Sequence, residues 1–285
     1  MIDYYFDYDI TFIRELLDLS QEEFASKLNV TQVSVAMWET GKTIPNKITL
    51  EKIYNLAMEN GIHLNRIKIR FFEDDKKDNV LLYHGSKKGI VGDLTFKHSN
   101  DRSDFGVGFY LGENLTQAST WVCDSENGSV YCFYLKNNSK LKVEHFDVDL
   151  DWVLAICLNR GYLKDKMTHP LINDIKRRID NADIIVAPIA DNVMYLTIQE
   201  FAEGYITDEQ CKHALSANHL GTQYVCKTNK AIGALSPIAR LYLCEKEKEE
   251  YREVKINEGR NGQAKSKAAR IEFRNKGRYI DELFS

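Results

Sequence analysis

The sequence predicts two folded units of different class, an all-α unit followed by a mixed α+β unit. Three observations support this. The chain of 285 residues is long enough for about two domains of ordinary size. Residues 9–61 carry helix signals only, whereas short apolar strands and helices mix from residue 79 onwards. Between them lies the charged, turn-rich stretch FFEDDKKDN, so we expect a linker at 71–78.

The composition is that of a globular protein. Apolar residues make up 44% of the chain and charged residues 28%, and no apolar run approaches the ~20 residues that span a bilayer. The first residues, MIDYYFDYD, lack the basic start of a signal peptide. Six scattered cysteines show no C-x-x-C spacing, so neither a disulfide framework nor a metal site is expected. We therefore expect a cytoplasmic protein with no membrane partner and no metal cofactor.

Four helices are predicted in the first unit. Ser20 with Glu23 three residues later forms a capping box, and Thr31 and Thr49 provide further N-cap side chains. Asn60-Gly61 ends the last helix. The predicted helices, caps included, are 10–17, 20–28, 31–39 and 49–60.

The second unit alternates strands and helices without a repeating βαβ pattern, which is typical of an α+β fold. The stretches 129–136 and 141–146 are predicted to pair with each other through the turn residues between them. The predicted strands are 79–86, 108–112, 129–136, 141–146, 183–189, 223–228 and 240–246. The predicted helices are 114–123, 149–160, 171–181, 197–203 and 208–217.

The last segment, 247–285, is predicted to be a charged, basic tail. Residues 259–280 contain seven Lys or Arg side chains and one acid, and three glycines interrupt the helical pattern there. Such a segment is either a solvated extension or one that becomes ordered on a partner. The partner would be a nucleic-acid acceptor or an acidic antitoxin.

The run SQEEFASKLNVTQVSVAMWETGKTIPN at 20–46 resembles the lambda-repressor-like helix-turn-helix family, and the resemblance covers about residues 9–61. It implies a helix-turn-helix domain at 1–70 whose third helix enters the major groove of DNA. By position, base edges would be contacted by Gln32, Val33 and Met37, and the DNA backbone by Gln21 and Ser34. Residues 1–68 carry ten acidic and seven basic side chains, however, and phosphate contacts need positive charge. Dimerisation or binding of a partner protein is therefore the alternative.

Four features of the second unit become informative when they are taken together. The first is the strand end His84-Gly85-Ser86, and the second is the strand start Gly106-Val107-Gly108-Phe109-Tyr110-Leu111. The third is Trp121, eleven residues after Tyr110, and the fourth is Gln223 at the start of a late strand. Taken singly, each has an ordinary structural explanation in core packing or a turn.

In this order they resemble the ADP-ribosyltransferase superfamily, on the branch of the poly(ADP-ribose) polymerases and diphtheria toxin, over roughly residues 79–246. The resemblance implies a split antiparallel sheet and NAD+ as a substrate. His84 would bind the adenosine ribose, Gly85 the nicotinamide carboxamide, and Ser86 would support the ribose. Tyr110 and Trp121 would sandwich the nicotinamide ring, and Gly106 and Gly108 would let the backbone approach the ligand. An aromatic wall suits that ring because it is cationic until it leaves.

Gln223 departs from the family pattern, which often has glutamate at this position. Its carbonyl can still accept a hydrogen bond from the ribose 2′-OH, but it is a poor general base. We therefore expect transfer of single ADP-ribose units, with Asp104 or Asp191 as candidates for activating the acceptor.

The resulting hypothesis is an NAD+-dependent mono-ADP-ribosyltransferase that modifies a protein or nucleic acid. Similar bacterial proteins occur beside helix-turn-helix domains in toxin–antitoxin or phage-defence settings, so an antitoxin or inhibitor is an expected partner. Two alternatives stay open. One is an NAD+ glycohydrolase on the same fold, and the other is a DNA-binding regulator that senses NAD+ or ADP-ribose without turnover.

Overall fold

The computed structural model describes residues 3–99, 102–190, 192–216 and 221–285, and the first unit consists of helices. The four predicted helices are present. The capping box of Ser20 and Glu23 is formed, and Thr31 caps its helix through the backbone N–H of Ser34. Asn46, rather than Thr49, caps the fourth helix. The helices are α1 Phe6–Leu16, α2 Gln21–Leu28, α3 Gln32–Glu39, α4 Lys47–Glu59 and α5 Leu64–Asp75.

Helix α5 overlaps most of the segment that the composition predicts as a linker. Its charged side chains other than Lys68 face solvent. Ile69 and Phe72 pack against the second unit, and the hydroxyl of Tyr134 donates to the carbonyl of Phe72 at 2.7 Å. A helix with one narrow apolar face and a charged remainder has the composition of a loop, and this explains the wrong prediction at 71–75.

Seven strands form one mixed sheet in the order β4-β5-β6-β2-β1-β3-β7. Adjacent strands are antiparallel except β4 and β5. The sheet is therefore mixed rather than purely antiparallel as expected. Strands β1 and β2 share only one residue pair, Tyr83 with Gly112. The strands are β1 Val80–Ser86, β2 Phe109–Gly112, β3 Ser129–Leu135, β4 Val143–His145, β5 Ile184–Pro188, β6 Thr222–Cys226 and β7 Leu235–Leu241.

Two strand predictions are wrong. Strands β3 and β4 do not pair, because β3 already has β1 on one side and β7 on the other, so β4 joins the free edge of β5. The last strand spans 235–241 instead of 240–246, because Cys244 is already the N-cap of the following helix.

Helices cover one face of the sheet in two groups. Helix α6 packs over β1 and β3, and α7, α8 and α9 pack over β5 and β6 around Trp152 and Phe201. The predicted end of one helix at residue 217 lies outside the described residues. The helices are α6 Leu115–Val122, α7 Leu150–Asn159, α8 Pro170–Asn181, α9 Asn192–Ala202, α10 Asp208–Ser216 and α11 Asn229–Ile232.

The segment predicted as a basic tail is an ordered part of the fold. It forms α12 Glu245–Glu272 and α13 Ile280–Leu283, and both named residues of α13 are buried in the core. The buried residues in the second half of α12 are small: Gly262, Ser266 and Ala269. Small residues contribute little to a periodic hydrophobic pattern, so that pattern did not predict the helix.

The two units are packed together through α5 and α12. The side-chain amide of Asn65 donates to the carbonyl of Tyr242 at 2.9 Å and to the carboxyl of Glu247 at 2.7 Å. Burial raises the pKa of Glu247 to about 7. Within the first unit, Lys68 of α5 forms an ion pair with the buried Asp9 of α1 at 2.6 Å. The buried hydrogen bonds of Asn65 hold the two units in one relative orientation.

Candidate functional site

Three of the predicted site residues, His84, Tyr110 and Gln223, lie on the adjacent strands β1, β2 and β6, near the point where β1 and β2 separate. Beyond the pair of Tyr83 with Gly112, β1 continues beside β3 as far as Ser86, but has no further pair with β2. Residues 84–86 therefore pair with a strand on one side only, which is β3. On the opposite side, their backbone N–H and C=O groups face the gap between β1 and β2. Strand β6 lies beyond β2, with Gln223 directly opposite Gly112.

His84 bridges this gap. Its Nδ1 lies 2.7 Å from the carbonyl oxygen of Tyr110, and its ring stacks on Phe109 with 4.4 Å between centroids. Because a carbonyl only accepts hydrogen bonds, Nδ1 carries the proton and donates, which leaves Nε2 as an acceptor in the neutral ring. Burial lowers the pKa of His84, which favours this neutral form. The side chain can therefore accept a hydrogen bond from a hydroxyl.

Tyr110 is fixed to the glycine-containing loop that precedes β2. Its hydroxyl donates to the carbonyl of Gly106 at 2.7 Å and accepts from the backbone N–H of Phe105 at 3.1 Å. Burial raises the pKa of Tyr110, so the phenol stays neutral. These bonds give the ring one orientation, packed against the core that contains Phe105 and Val225.

Trp121 lies on the outer face of α6 and is 55% exposed. The ammonium group of Lys87 sits 4.2 Å from the centre of its ring. Within the described residues the rings of Tyr110 and Trp121 do not touch. Lys87 follows the His84-Gly85-Ser86 strand end and occupies the cation position on this indole.

The glycines of the two motifs allow close packing within the protein. A Cβ atom on Gly85 would lie 2.5 Å from the carbonyl oxygen of Ala118 in α6, and one on Gly108 would lie 2.5 Å from Val225 Cγ1 in β6. Gly106 has a φ of +69°, which favours glycine. For Gly108 the missing side chain allows close packing of β2 on β6.

Gln223 is 6% exposed and its side-chain amide has two acceptors. Nε2 donates to the carbonyl of Pro188 at 2.9 Å and to Oδ2 of Asp104 at 3.3 Å. The other oxygen of Asp104 forms an ion pair with Arg160 at 2.5 Å. Asp104, which the sequence offered as a base for the acceptor, is thus engaged by two partners, while Asp191 lies outside the described residues.

Sequence reasoning missed three residues around this site: Lys87, Arg160 and Pro188. No sequence motif contains Arg160. It is the C-cap residue of α7, and it contacts Asp104 because α7 packs beneath the glycine-containing loop before β2. Pro188 contributes a backbone carbonyl, a group that every residue has. Such partners are set by tertiary packing and leave no local signal.

The exposed face of the first unit includes three of the five predicted DNA-contacting side chains. Gln32, Val33 and Met37 are exposed on α3. Ser34 is instead hydrogen-bonded to the cap residue Thr31, and Gln21 donates to Glu39 at 2.7 Å. Two apolar side chains beside α3 are also exposed, Ile44 at 70% and Ile48 at 71%.

Two surface cavities lie elsewhere. One of about 380 Å³ lies between α5, α6 and α12 and is lined by Arg66, Arg70 and Tyr83, and one of about 240 Å³ lies between β4 and α8. Neither is lined by His84, Tyr110 or Gln223. Among the described residues, no group of three His, Cys, Asp or Glu side chains has metal-binding geometry. In the same part of the chain, every helix is too short or too polar to span a bilayer.

Comparison with known families divides the chain in the same way. A family model described as "Protein of unknown function (DUF3990)" matches residues 80–236, which is more than half of the 285 residues. A model described as "Helix-turn-helix" matches residues 11–55, so the first unit is a helix-turn-helix domain. No curated protein and no solved structure is similar enough to count as a match.

Proposed function

The chain belongs to the DUF3990 family, and we propose that it is an NAD+-dependent mono-ADP-ribosyltransferase that releases nicotinamide and modifies a macromolecule. One observation carries the proposal. His84, Tyr110 and Gln223 lie on three adjacent strands, β1, β2 and β6, at the point where β1 and β2 separate. These are the three positions at which the sequence resembles the ADP-ribosyltransferases.

The groups around this point fit NAD+ as a substrate. The neutral ring of His84 presents an acceptor suited to a ribose hydroxyl, and the amide of Gln223 presents a second. Trp121 is an exposed aromatic platform that binds the ammonium of Lys87, and the nicotinamide ring, which is cationic before it leaves, would take the place of that ammonium. The backbone of Gly85 borders the gap where the carboxamide would bind.

NAD+ supplies a glycosidic bond whose electron pair leaves with nicotinamide, while positive charge develops on the ribose. The protein has to hold the ring, orient the ribose and exclude water. In the proposal His84 and Gln223 orient the ribose hydroxyls, and Tyr110 and Trp121 hold the ring. An acceptor nucleophile then bonds to C1′ of the ribose and gives up its proton.

Transfer of single units is favoured over chain elongation. Elongation needs a base that activates a hydroxyl of bound ADP-ribose, and a neutral amide at position 223 is not one. The nearest carboxylate, Asp104, is held by Arg160 and Gln223. An acceptor that is itself a good nucleophile is therefore expected.

Nicotinamide release from NAD+ labelled in its adenylate half tests the proposal. Label that appears on protein or nucleic acid when lysate is added supports transfer. Rapid release without an acceptor identifies a glycohydrolase instead, and binding without release identifies a sensor. His84→Ala and Tyr110→Ala should abolish release, and exposed His145→Ala and Tyr205→Ala are matched controls. Full activity in the first two folded variants would refute the site assignment.

For the helix-turn-helix domain we propose a recognition role through α3. Its exposed residues Gln32, Val33 and Met37 are those that would reach base edges, so DNA is one partner. The acidic character of residues 1–68 and the exposed Ile44 and Ile48 favour a protein partner, such as an antitoxin or inhibitor. Binding to random duplex DNA at two salt concentrations distinguishes the two, since phosphate contacts weaken steeply with salt.

A further inference from the structure

The amide of Gln223 has an unusual environment for a position that often holds glutamate. Both groups that face its Nε2 are acceptors, the carboxylate of Asp104 and the backbone carbonyl of Pro188. Neither can donate, so the nitrogen end of the amide must point towards them. The carbonyl oxygen Oε1 consequently points the other way, and none of the described residues donates a hydrogen bond to it.

We propose that Asp104, held by Arg160, is a positioning residue that fixes the amide of Gln223 so that Oε1 is presented to the substrate. This inference rests on the proposed function, since the substrate group it concerns is the ribose hydroxyl of NAD+. Asp104 itself does not touch that hydroxyl. It acts through Gln223, because an amide with both N–H groups engaged cannot rotate by half a turn without breaking two hydrogen bonds.

Arg160 makes the arrangement stable. Asp104 and Arg160 keep only 11% and 12% of their side-chain surfaces exposed, and a carboxylate so enclosed requires a partner charge. With Arg160 on Oδ1, the other oxygen Oδ2 is available for Gln223. The loop before β2 thus has two functions. Phe105 and Gly106 hold the hydroxyl of Tyr110, and Asp104 beside them sets the orientation of Gln223 on β6.

The same environment explains why glutamine stands here. A glutamate carboxylate would face a second carboxylate and a carbonyl oxygen, and it would lose both donated hydrogen bonds. Like charges at this distance destabilise each other strongly when they are buried. These surroundings therefore require glutamine at position 223. The carboxylate of the site is Asp104, which is hydrogen-bonded to the amide nitrogen of Gln223 and lies on the side away from Oε1.

The first test needs no turnover. We compare thermal unfolding of the full chain for Gln223→Glu, Asp104→Asn and both together. Gln223→Glu should lower the unfolding temperature, more at pH 8 than at pH 5, because at lower pH one of the two carboxyls gains a proton and can donate. The double variant should recover much of the loss, since the amide of the new asparagine can donate to the new carboxylate. Equal stability of Gln223→Glu and wild type at both pH values would overturn the proposal.

The second test separates positioning from general stability. Asp104→Asn should lower kcat for nicotinamide release roughly tenfold, the effect of one misoriented hydrogen bond, with KM for NAD+ changed less than about threefold. The control Asp151→Asn removes a carboxylate from another arginine, Arg178, which lies 2.6 Å away, and should change neither constant. Unchanged kcat in Asp104→Asn would refute the positioning role.

The failures of the two proposals are distinguishable. If the wild-type chain releases no nicotinamide and binds no NAD+, the proposed function fails, while the unfolding series still decides whether Asp104 fixes Gln223. If the wild type is active and the unfolding series shows no coupling between positions 104 and 223, only the positioning proposal fails.

Discussion

Substituting Gly85 tests the packing of the candidate site at its centre. An added Cβ would lie 2.5 Å from the carbonyl oxygen of Ala118 and 3.0 Å from Val122 Cγ1. Both contacts are with α6, the helix that contains Trp121. Because the first contact is with backbone, a rotamer change cannot relieve it, and Gly85→Ala must push α6 away from β1 or bend the strand.

The expected magnitude follows from this overlap. Overpacking a well-filled interior by one methyl group destabilises a protein by about 1–3 kcal/mol. For chains of 150–250 residues each kcal/mol lowers the unfolding temperature by about 2–4 °C, so we expect a loss of about 2–12 °C. Gly85→Ala should also lower the rate of nicotinamide release strongly, even at temperatures where the variant is folded. The reason is that the shifted backbone of β1 borders the gap beside His84.

Two other glycines provide controls: alanine should destabilise the chain at Gly128 and stabilise it at Gly259. A Cβ on Gly128 would lie 2.5 Å from the carbonyl oxygen of Val122, so Gly128→Ala presses on the same helix from outside the candidate site. Gly259, within α12, has nothing within 4 Å of its Cβ position, and Gly259→Ala should stabilise the chain by roughly 0.5–1 kcal/mol.

Thermal unfolding and nicotinamide release, measured on all three variants, separate the effects. Gly85→Ala and Gly128→Ala should lose similar stability, but Gly85→Ala should lose far more activity. If Gly85→Ala unfolds at the wild-type temperature, α6 does not pack on β1 as described. If the two destabilised variants lose activity equally, Gly85 matters for packing alone and contributes nothing specific to the site.

Two further predictions concern α12. Burial raises the pKa of Glu247 from 4.5 to about 7, so the folded chain binds a proton that the unfolded chain releases, and stability falls as the pH rises through this window. Glu247→Gln removes this titration and should be more stable than wild type by about 2–3 kcal/mol at pH 8 but similar near pH 4. Denaturant unfolding checks this, and a difference independent of pH would contradict it. Separately, if exposed Lys267 and Arg274 guide a nucleic-acid acceptor, replacing both by Glu should reduce nucleic-acid labelling and its salt dependence without changing acceptor-free release. Unchanged labelling would exclude Lys267 on α12 and Arg274 just beyond it from acceptor binding.

Local signals in the sequence predicted the first unit well. The Ser20–Glu23 capping box and the Thr31 cap are formed by side chains within three residues of the groups they satisfy, so they act wherever the segment lies. The same holds for the strand end at Ser86 and for β2, which a short apolar run and its glycine boundaries define.

The remainder depends on distant contacts and could not be predicted. Strand β4 pairs with β5 because β3 has no free edge, a fact about the whole sheet. Helix α12 is buried through Gly262, Ser266 and Ala269, which carry little hydrophobic signal. Arg160 reaches Asp104 across 56 positions of the chain. In each case the deciding partner lies far away in sequence, and the local pattern favours another structure.

Helix α12 links the end of α6 to the first unit. The ammonium of Lys248 in α12 donates to the carbonyls of Ser125 and Glu126 at 3.0 and 3.1 Å, and Arg252 donates to the carbonyl of Cys123 at 3.0 Å. These carbonyls directly follow α6, while its other face packs on Gly85. A ligand of the helix-turn-helix domain can regulate the site only if it favours one arrangement of such a shared element over another. Because α12 contacts both the first unit and the end of α6, such regulation would be detected at the position of Trp121. The measure is the change in indole fluorescence on adding the partner that is lost in Trp121→Phe, since Trp38 and Trp152 also fluoresce.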